Sequence, residues 1–307
     1  MAYHIPALLQ ESIDGLKVQP DGLYVDVTFG GGGHAWEIFS RLTTGHLLVF
    51  DQDADAKRNA ERFKADLQNR SFTFIEANFR YLEKYLRFHG IKQVDGVIAD
   101  FGVSFHQFDE STRGFSTRFD AALDMRMNQK TGRTAGQLLN EIAEKDLIHI
   151  LSAYGEIKNA RTLAKKLIAH RSETPFDSTD QLKQLALEVA PRGREQKYLA
   201  QLYQAIRIEV NEELRVIEEF LNQLPNVLNE GGRFVGITYH SLEDRLVKNY
   251  LASGNTRGKQ EKDFYGNIIR PFDPVNRKPI VPEEAEINVN NRARSAKLRI
   301  GEKRNGK

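Results

Sequence analysis

The sequence predicts an α/β protein in which a mostly parallel sheet is interrupted by an all-α insertion. Short apolar runs that end in polar residues alternate with amphipathic segments over the first 100 residues. This alternation is typical of parallel strands joined by helical crossovers. It stops near Thr134, where the chain carries helical spacing as far as about Leu199, and it resumes at Arg233. The insertion therefore lies between the fourth and fifth strands.

The apolar runs give the element boundaries. Predicted strands are Leu23–Val27, His46–Phe50, Phe72–Ile75, Val94–Ala99, Arg233–Thr238 and Ala296–Ile300. One long amphipathic helix is predicted from about Tyr198 to Leu228, and a loop with at most short strands over Ala252–Asn291. We expect a discontinuous α/β domain of residues 1–108 and 201–307, and a helical insertion domain of residues 109–200.

Composition excludes several classes of protein. Hydrophobic residues make up 40% and charged residues 28%, which is normal for a folded protein and argues against disorder. The chain has no cysteine, so disulfides, thiolate metal sites and cysteine nucleophiles are excluded. We read neither a signal peptide nor an apolar run of about 20 residues, and expect a cytoplasmic protein without a membrane partner.

Positive charge is concentrated at the end of the chain. Residues 244–307 contain 15 Lys or Arg against eight Asp or Glu, although the whole chain has a net charge of only +2. A polyanion partner and a solvated tail both explain this asymmetry. Within the segment, Arg292, Arg294 and Lys297 are the predicted RNA-binding residues, through phosphate contacts. A merely solvated edge strand is the alternative.

A glycine loop follows the first predicted strand. Gly30 to Gly33 lie at its carboxyl end, where open α/β sheets bind ligands, and glycines allow tight turns and close approach of a ligand. Asp51 ends the second predicted strand, about 20 residues further on, where an acceptor-only carboxylate suits two ribose hydroxyls. The loop and the acid together predict an adenosine-containing ligand.

The glycine loop leaves two ligand classes open. Its spacing, Gly30-x-Gly32-x-x-Ala35, also satisfies the dinucleotide fingerprint, so an NAD-dependent oxidoreductase competes. Asp26 favours a methyl donor instead, because its carboxylate would meet the ammonium of a methionine moiety. His34 contacts the ligand or caps the helix. Phe79, after the third strand, packs against adenine or belongs to the core.

The segment after the fourth strand carries further polar groups. Asp100 ends that strand and is the predicted catalytic residue, placed to contact both the methyl donor and the acceptor nitrogen. Gln107 is the second candidate, as a hydrogen-bond partner of the ligand. Methyl transfer needs mainly alignment and hydrogen-bond acceptors, so no metal is expected. For Asp100, a loop carboxylate that caps a turn is the alternative.

The chain resembles a known family, the bacterial small-subunit rRNA cytosine-N4 methyltransferases of the MraW type. The resemblance runs nearly end to end. The motifs that carry it are His4–Leu9, Asp26–His34, Asp100–Ser104, Arg113–Ser116, Leu123–Met127, Gln204–Leu214, His240–Arg245 and Arg292–Ser295.

The resemblance implies a class I S-adenosylmethionine-dependent methyltransferase, with a Rossmann-like, mostly parallel seven-stranded sheet and an inserted domain that would recognise RNA. It implies that S-adenosyl-L-methionine is the cofactor, and that the substrate is a cytosine in the decoding region of 16S rRNA or of the small ribosomal subunit. The cofactor contacts that it implies are at Gly32, Gly33, His34, Asp51, Phe79, Asp100 and Gln107.

The remaining motifs admit structural interpretations as well. His240 follows the fifth strand at the same rim as the glycine loop and is a second predicted catalytic residue. A structural role is at least as well supported as a functional one for three further polar residues, Asp124, Arg126 and Asn211. They would form a buried polar cluster that fixes the insertion. A non-catalytic RNA-binding assembly factor that has kept a cofactor pocket is a third possible function, beside the methyltransferase and the oxidoreductase.

Overall fold

The computed structural model describes residues 6–66 and 71–305. His4 and Ile5 of the N-terminal motif lie outside these ranges. The chain forms two compact units. The first unit combines the chain up to Gly102 with Leu214 onward, and the second is the continuous stretch Val103–Glu213.

The first unit is built on a seven-stranded sheet. The strands are β1 Leu23–Asp26, β2 His46–Asp51, β3 Phe72–Glu76, β4 Val94–Asp100, β5 Leu228–Thr238, β6 Phe272–Pro274 and β7 Lys297–Lys303. Their order in the sheet is β3-β2-β1-β4-β5-β7-β6. Neighbours from β3 to β5 are parallel, whereas β7 runs antiparallel to both β5 and β6. The predicted fold, a mostly parallel seven-stranded Rossmann-like sheet of the class I methyltransferase type, is confirmed.

Helices cover both faces of the sheet. The chain's helices are α1 Leu9–Leu16, α2 Gly33–Arg41, α3 Ala54–Asp66, α4 Leu82–Phe88, α5 Phe105–Asp109, α6 Ala135–Glu141, α7 Glu144–Ala153, α8 Ala160–Glu173, α9 Thr179–Leu187, α10 Glu195–Val210, α11 Glu213–Leu221, α12 Leu224–Val227, α13 Ser241–Ser253 and α14 Glu284–Val289. Alternate residues of a strand enter opposite cores: Val235 packs with residues of α1 and α2, and Phe234 with residues of α11 and α13. The sheet is thereby buried on both sides, as parallel sheets are.

The second unit is helical, with a core of its own made of leucine, isoleucine and aromatic side chains from α6 to α10. Two of its helices begin with capping boxes. The Thr134 and Gln137 side chains bond each other's backbone N–H at the start of α6, and Ser178 and Gln181 do the same at α9. The structure sets this unit at Val103–Glu213, against the 109–200 predicted from the sequence. The difference arises largely because all of α10 contributes to the helical core.

The predicted single helix from about Tyr198 to Leu228 is wrong. The chain instead forms α10, α11 and α12, and the first break falls at Asn211 and Glu212. Glu212 adopts a left-handed φ of 50°, which ends regular helical hydrogen bonding. The Asn211 amide donates to the backbone oxygens of Met125 (2.8 Å) and Arg207 (2.9 Å), and its oxygen accepts from Met127 N (2.8 Å). Asn211 therefore joins the end of α10 to the loop before α6.

The polar cluster predicted from Asp124, Arg126 and Asn211 has a structural basis within the second unit. Arg126 donates two parallel hydrogen bonds to the Asp124 carboxylate, at 2.7 and 2.9 Å. Met125, between them, is fully buried and has a positive φ of 58°. A non-glycine residue in this conformation is strained, so its neighbours must hold it in place.

Among the residues that the structure describes, no helix combines the length and apolar character needed to cross a membrane.

We expect Asn211→Ala to lower the free energy of unfolding by about 1–3 kcal/mol, because the Met125 oxygen and the Met127 N–H lose their partner in a half-buried place. Urea denaturation followed by circular dichroism measures this. The exposed Asn222 serves as the control, and Asn222→Ala should stay within about 0.5 kcal/mol of the wild type. Equal stability of the two variants would refute this role of Asn211.

Candidate active site

The glycine loop lies where the strand order reverses, between β1 and β4. Ligands bind open α/β sheets in the crevice at this point. Phe29 N donates to Phe50 O (3.0 Å) and Gly32 N to Phe29 O (2.7 Å), which turns the chain back toward α2. Gly32 has a φ of 82°, and a Cβ there would lie only 3.0 Å from the Phe29 ring. Only glycine fits this position, and Gly33 begins α2 directly after it.

Asp51 closes the loop from the neighbouring strand. Its Oδ2 accepts a hydrogen bond from Gly30 N (2.8 Å) and its Oδ1 one from Asp53 N (2.9 Å). Asn59 Nδ2 donates to Gly30 O (3.0 Å), so α3 also holds the loop. The spacing of about 20 residues that suggested an adenosine site thus places the acid directly against the glycine loop.

Asp26 and Asp100 end the two strands on either side of the reversal point. Asp26 is buried, and its Oδ1 accepts from Thr28 N (3.0 Å). The Thr28 hydroxyl in turn accepts from Asp100 N (2.7 Å), which ties the tips of β1 and β4 together. With Asp51 on β2, the crevice presents three carboxylates at the carboxyl ends of three adjacent parallel strands.

Burial makes these three carboxylates hold protons more tightly than ordinary ones. It raises the pKa of Asp26 to about 7, of Asp51 to about 6 and of Asp100 to about 7. Mutual repulsion adds to the shift, since Asp51 acts on Asp26 and Asp26 acts on Asp100. A cation or several hydrogen-bond donors bound here would relieve that cost. The site is therefore suited to a ligand that carries positive charge and hydroxyl groups.

His34 lies on α2 beside Asp100, with its Nδ1 4.0 Å from Asp100 Oδ2. Burial lowers the pKa of His34 to about 4, partly offset by a hydrogen bond from the ring to the Ala7 backbone. The ring is therefore neutral at physiological pH. Within the described part of the chain, neither His34 Nε2 nor Asp100 Oδ1 has a hydrogen-bond partner, although both atoms are buried. Buried polar atoms without partners are rare and fit a site that a ligand completes.

Tyr239 and Glu243 are site residues that the sequence analysis missed. The Tyr239 hydroxyl donates to the Asp100 carboxylate, an interaction that lowers the pKa of Asp100 against the effect of burial. Glu243 is fully buried, and its Oε2 accepts from Tyr239 N (2.9 Å). No pattern marked Tyr239, because a tyrosine after a strand is usually a packing residue. Its role follows from the parallel register that sets Asp100 opposite Ile237 on β5.

His240 has a structural explanation. It is the residue that precedes α13, and the Glu243 carboxylate in the first turn of that helix accepts from the His240 backbone N–H (3.3 Å). Its Nε2 lies 3.0 Å from Glu243 Oε1. A catalytic role for His240 stays a prediction.

Phe79 and Gln107 occupy different units. Phe79 follows β3 and is half-buried, with its ring 5.2 Å from that of Phe220 and 5.9 Å from that of Phe101. It has both a core side and an accessible part, as an adenine-facing residue requires. Gln107 belongs to the second unit, where it is buried and its Oε1 accepts from Ser104 N (3.0 Å). The contacts within the first unit therefore do not involve it.

The basic residues predicted to meet phosphate have different environments. Arg294 is exposed and Arg292 is half-buried, both in the short helical turn before β7. Lys297 is half-exposed, with its Nζ 3.7 Å from Asp244 Oδ2. Arg299, the next inward position of the strand, is buried and makes a two-point ion pair with Asp244 at 2.6 and 3.2 Å. Asp244 is thus paired with β7 rather than with its neighbour Arg245.

Comparison with known proteins gives close relatives over the whole length. A protein of Flavobacterium johnsoniae, "Ribosomal RNA small subunit methyltransferase H", is 54% identical over 304 residues, which cover 99% of this chain and 98% of the relative. Proteins with the same name from Cytophaga hutchinsonii and Bacteroides thetaiotaomicron are each 52% identical, over 98% and 99% of this chain and 99% and 98% of their own lengths.

The sequence profile of the MraW methylase family matches residues 1–304. This match and the sheet order decide between the two ligand classes that the glycine loop left open, because a methylase uses a methyl donor and not a nicotinamide. The cofactor prediction is confirmed at this level, and the rim carboxylates fit a cationic, hydroxyl-bearing donor. The chain therefore belongs to the MraW methylase family of S-adenosyl-L-methionine-dependent methyltransferases.

Proposed function

We propose that this protein methylates the exocyclic N4 nitrogen of a cytosine in the decoding region of 16S rRNA. Its close relatives are named for methylation of small-subunit ribosomal RNA, which supports the substrate class. The observation that supports the chemistry is made at the carboxyl end of β4. There a buried Asp100 oxygen, which has no hydrogen-bond partner among the residues that the structure describes, lies beside the proposed donor crevice. Ribosomal RNA as substrate would place the enzyme in the cytoplasm.

Residues of the crevice suit the parts of S-adenosyl-L-methionine. We assign the close approach of the methionine moiety to Gly32 and Gly33, and its ammonium group to Asp26, whose burial favours a cationic partner. Asp51 would accept from the ribose hydroxyls, and the accessible part of Phe79 would pack on adenine.

The other cofactor contacts that we assign are His34 and Asp100, and the cofactor contact expected at Gln107 stays a prediction. His34 is held neutral by burial, so its ring nitrogens serve as hydrogen-bonding groups rather than as a cation that would repel the donor. A neutral His34 suits the proposed donor because the donor itself is positively charged.

When bound, the cofactor supplies a methyl group on a positively charged sulfur. The amino nitrogen of cytosine is a weak nucleophile because its lone pair is delocalised into the ring. Asp100 Oδ1 would accept an N–H of this group, which orients the lone pair and returns electron density to nitrogen. The amino nitrogen would become acidic once it had taken the methyl group, and Asp100 or water would accept its proton. His240 is kept as a candidate for lining the cytosine pocket.

Ribosomal RNA would be held by positive charge outside the crevice. We assign phosphate contacts to Arg292, Arg294 and Lys297, which lie next to the start of β7 and hence at the same edge of the sheet as Thr238. The helical unit Val103–Glu213 is proposed to recognise the RNA around the target. A cytosine within a base pair would have to leave its stack before its amino group reached Asp100.

Incorporation of labelled methyl groups tests this function directly. Small ribosomal subunits from cells that lack the protein should accept label from S-adenosyl-L-methionine, and mass mapping should place it on the N4 atom of one cytosine. RNA binding without incorporation would support the non-catalytic assembly factor instead. Label on a different base or atom would contradict the proposed specificity.

Asp51→Asn should weaken S-adenosyl-L-methionine binding at least tenfold by titration calorimetry, because hydrogen bonds to a charged acceptor are worth about 1.5–3 kcal/mol each. The exposed Asp21 offers a matched control, and Asp21→Asn should bind as the wild type does. Unchanged affinity in Asp51→Asn would refute the assigned ribose site.

The same substitution should also change how the stability of the unliganded protein depends on pH. Burial raises the pKa of Asp51 to about 6, so its protonated form favours folding. That contribution is complete below about pH 4 and is lost as the pH rises through 6. Asp51→Asn cannot ionise, so its melting temperature should fall less between pH 5 and pH 8 than that of the wild type. An equal fall in the two proteins would contradict this account.

Asp100→Asn should reduce single-turnover methyl transfer more than a hundredfold, while the Kd for S-adenosyl-L-methionine rises less than tenfold. The reason is that Asp100 is assigned mainly to the acceptor nitrogen, and loss of a preorganised acceptor costs about 3 kcal/mol in the transition state. Losses of equal size in binding and transfer would show that Asp100 only binds the cofactor.

Tyr239→Phe should shift the acidic limb of the pH–rate profile to higher pH. The lost hydroxyl no longer lowers the pKa of Asp100, which already lies near 7 and also faces the carboxylates of Asp26 and Glu243 and the neutral ring of His34. Tyr250, which is buried against Phe272 in the same unit, provides the control. Tyr250→Phe should leave the pH–rate profile unchanged. A Tyr239→Phe profile identical to that of the wild type would show that the Tyr239 hydroxyl does not act on Asp100.

A further inference from the structure

Residues 261–270, here called the aromatic finger, form a short hairpin between α13 and β6 that the methyl-transfer site does not use. Lys262 and Ile268 pair as an isolated antiparallel bridge, and Ile269 N donates to Glu261 O (2.8 Å). The tip carries two adjacent rings. Phe264 is 97% exposed and Tyr265 86% exposed, which makes them the most exposed large hydrophobic residues of the described chain.

Hydrogen bonds fix the tip of the finger. Asp263 Oδ1 accepts from Tyr265 N and from Asn267 N, both at 2.9 Å, and Asn267 Nδ2 donates to Asp263 Oδ2 at 3.0 Å. Gly266 has a φ of 85°, a conformation that glycine adopts without strain. The rings of Phe264 and Tyr265 are nearly perpendicular, with centroids 5.6 Å apart. The rings are therefore presented by an ordered turn, which lowers the entropy lost when a ligand binds them.

Two fully hydrated rings side by side contribute nothing to either core of the first unit. Burial of a single large aromatic side chain is worth about 2–3 kcal/mol, so this turn leaves a large stabilisation unused in the isolated protein. Exposed apolar groups that cluster in this way commonly mark a binding surface. The two rings are therefore available to a binding partner, and the charges around them bear on its chemistry.

Exposed basic side chains surround the rings. Arg257, Lys259 and Lys262 are exposed, whereas Arg270 is half-buried and its charge is paired with Asp273 (3.0 Å). The same stretch has two acids, and one of them, Asp263, is engaged by the turn itself. Aromatic rings interleaved with Lys and Arg are the composition with which proteins bind unpaired nucleotides: the rings stack on bases and the cations neutralise phosphates.

We propose that the aromatic finger binds single-stranded RNA by stacking Phe264 and Tyr265 on unpaired bases. The inference rests on the proposed function for its choice of RNA, since an enzyme that acts on ribosomal RNA meets unpaired nucleotides around its target. It assigns a contact with RNA that the phosphate-binding residues next to β7 do not provide, because stacking reads the presence of an unpaired base rather than backbone charge alone.

The base of the finger lies far from the proposed methyl-transfer site. The finger leads into β6, which begins at Phe272, and Phe272 pairs with Lys303 at one end of β7. The other end of β7 lies at the edge of the sheet that carries the glycine loop, where Lys297 pairs with Thr238. Six residue steps of β-strand separate these ends, a distance of about 20 Å. The stacked bases are therefore different nucleotides from the one that is methylated. The finger should thus affect how strongly RNA is held, and not the chemical step.

The test compares Phe264→Ala/Tyr265→Ala with the wild type, using a fluorescein-labelled single-stranded RNA of 20 nucleotides and anisotropy as the readout. Base stacking is worth about 1–3 kcal/mol per base, so the Kd should rise tenfold or more. The slope of log Kd against log salt concentration should not change, because the substitution removes no charge. A change in Kd of less than twofold would overturn the proposal.

Three controls separate the proposal from its alternatives. Phe88→Ala removes another exposed ring of the same unit (81% exposed) and should bind RNA normally. Phe264→Tyr/Tyr265→Phe keeps both rings and should also bind normally. Lys259→Ala/Lys262→Ala should reduce the salt slope instead. Unchanged affinity for S-adenosyl-L-methionine in the alanine variant shows that the fold is intact.

The outcomes also separate this inference from the proposed function. Weaker binding of the alanine variant to small ribosomal subunits, with unchanged binding to the free oligonucleotide, would replace RNA stacking by a protein contact. Binding to anionic lipid vesicles, but not to the oligonucleotide, would likewise overturn it. Ring-dependent RNA binding by a wild-type protein that transfers no methyl group would leave the finger in place and refute the proposed activity.

Discussion

Burial of three carboxylates at one edge of the sheet is the constraint on which the first unit depends. Asp26, Asp51 and Asp100 end three adjacent parallel strands, so the topology alone brings them together. Each is unfavourable there when ionised, and backbone N–H groups meet only part of that cost. The arrangement persists because the strands that carry these acids are buried on both faces, which supplies the stabilisation that the rim lacks.

The same arrangement explains why the neighbouring groups are neutral or hydrogen-bonded. His34 loses its charge through burial, although a charged imidazole would pair well with Asp100. Tyr239 can donate to Asp100 without bringing a charge. In the proposed function, a cationic donor would supply the positive charge that these carboxylates lack. A cationic side chain in the same place would make the unliganded protein more stable, but it would repel such a donor.

The sequence alone predicted most of the acidic residues at this edge of the sheet, but few of the residues that hold them in place. Strand ends were readable because apolar runs stop abruptly at Asp51 and Asp100, and parallel topology brings such ends together. Tyr239 was not readable, because its role depends on the register between β4 and β5 across a long insertion. The break at Asn211 escaped for a similar reason: the helical spacing continues through it, and only contacts with Met125 and Met127 reveal it. Local pattern thus predicts elements, whereas their junctions depend on distant partners.

The interruption of the sheet also affects how the chain is made. Asp100 lies opposite Ile237 in the finished sheet, yet the whole helical unit is synthesised between these two residues. At translation rates of about 5–20 residues per second, β4 leaves the ribosome roughly ten seconds before β5 can cover it. During that interval the nascent half-sheet ends in an apolar strand with an unpaired edge, the kind of edge that promotes aggregation. A helical unit with its own core and local contacts can fold within this interval, which shortens the effective loop that β5 must close.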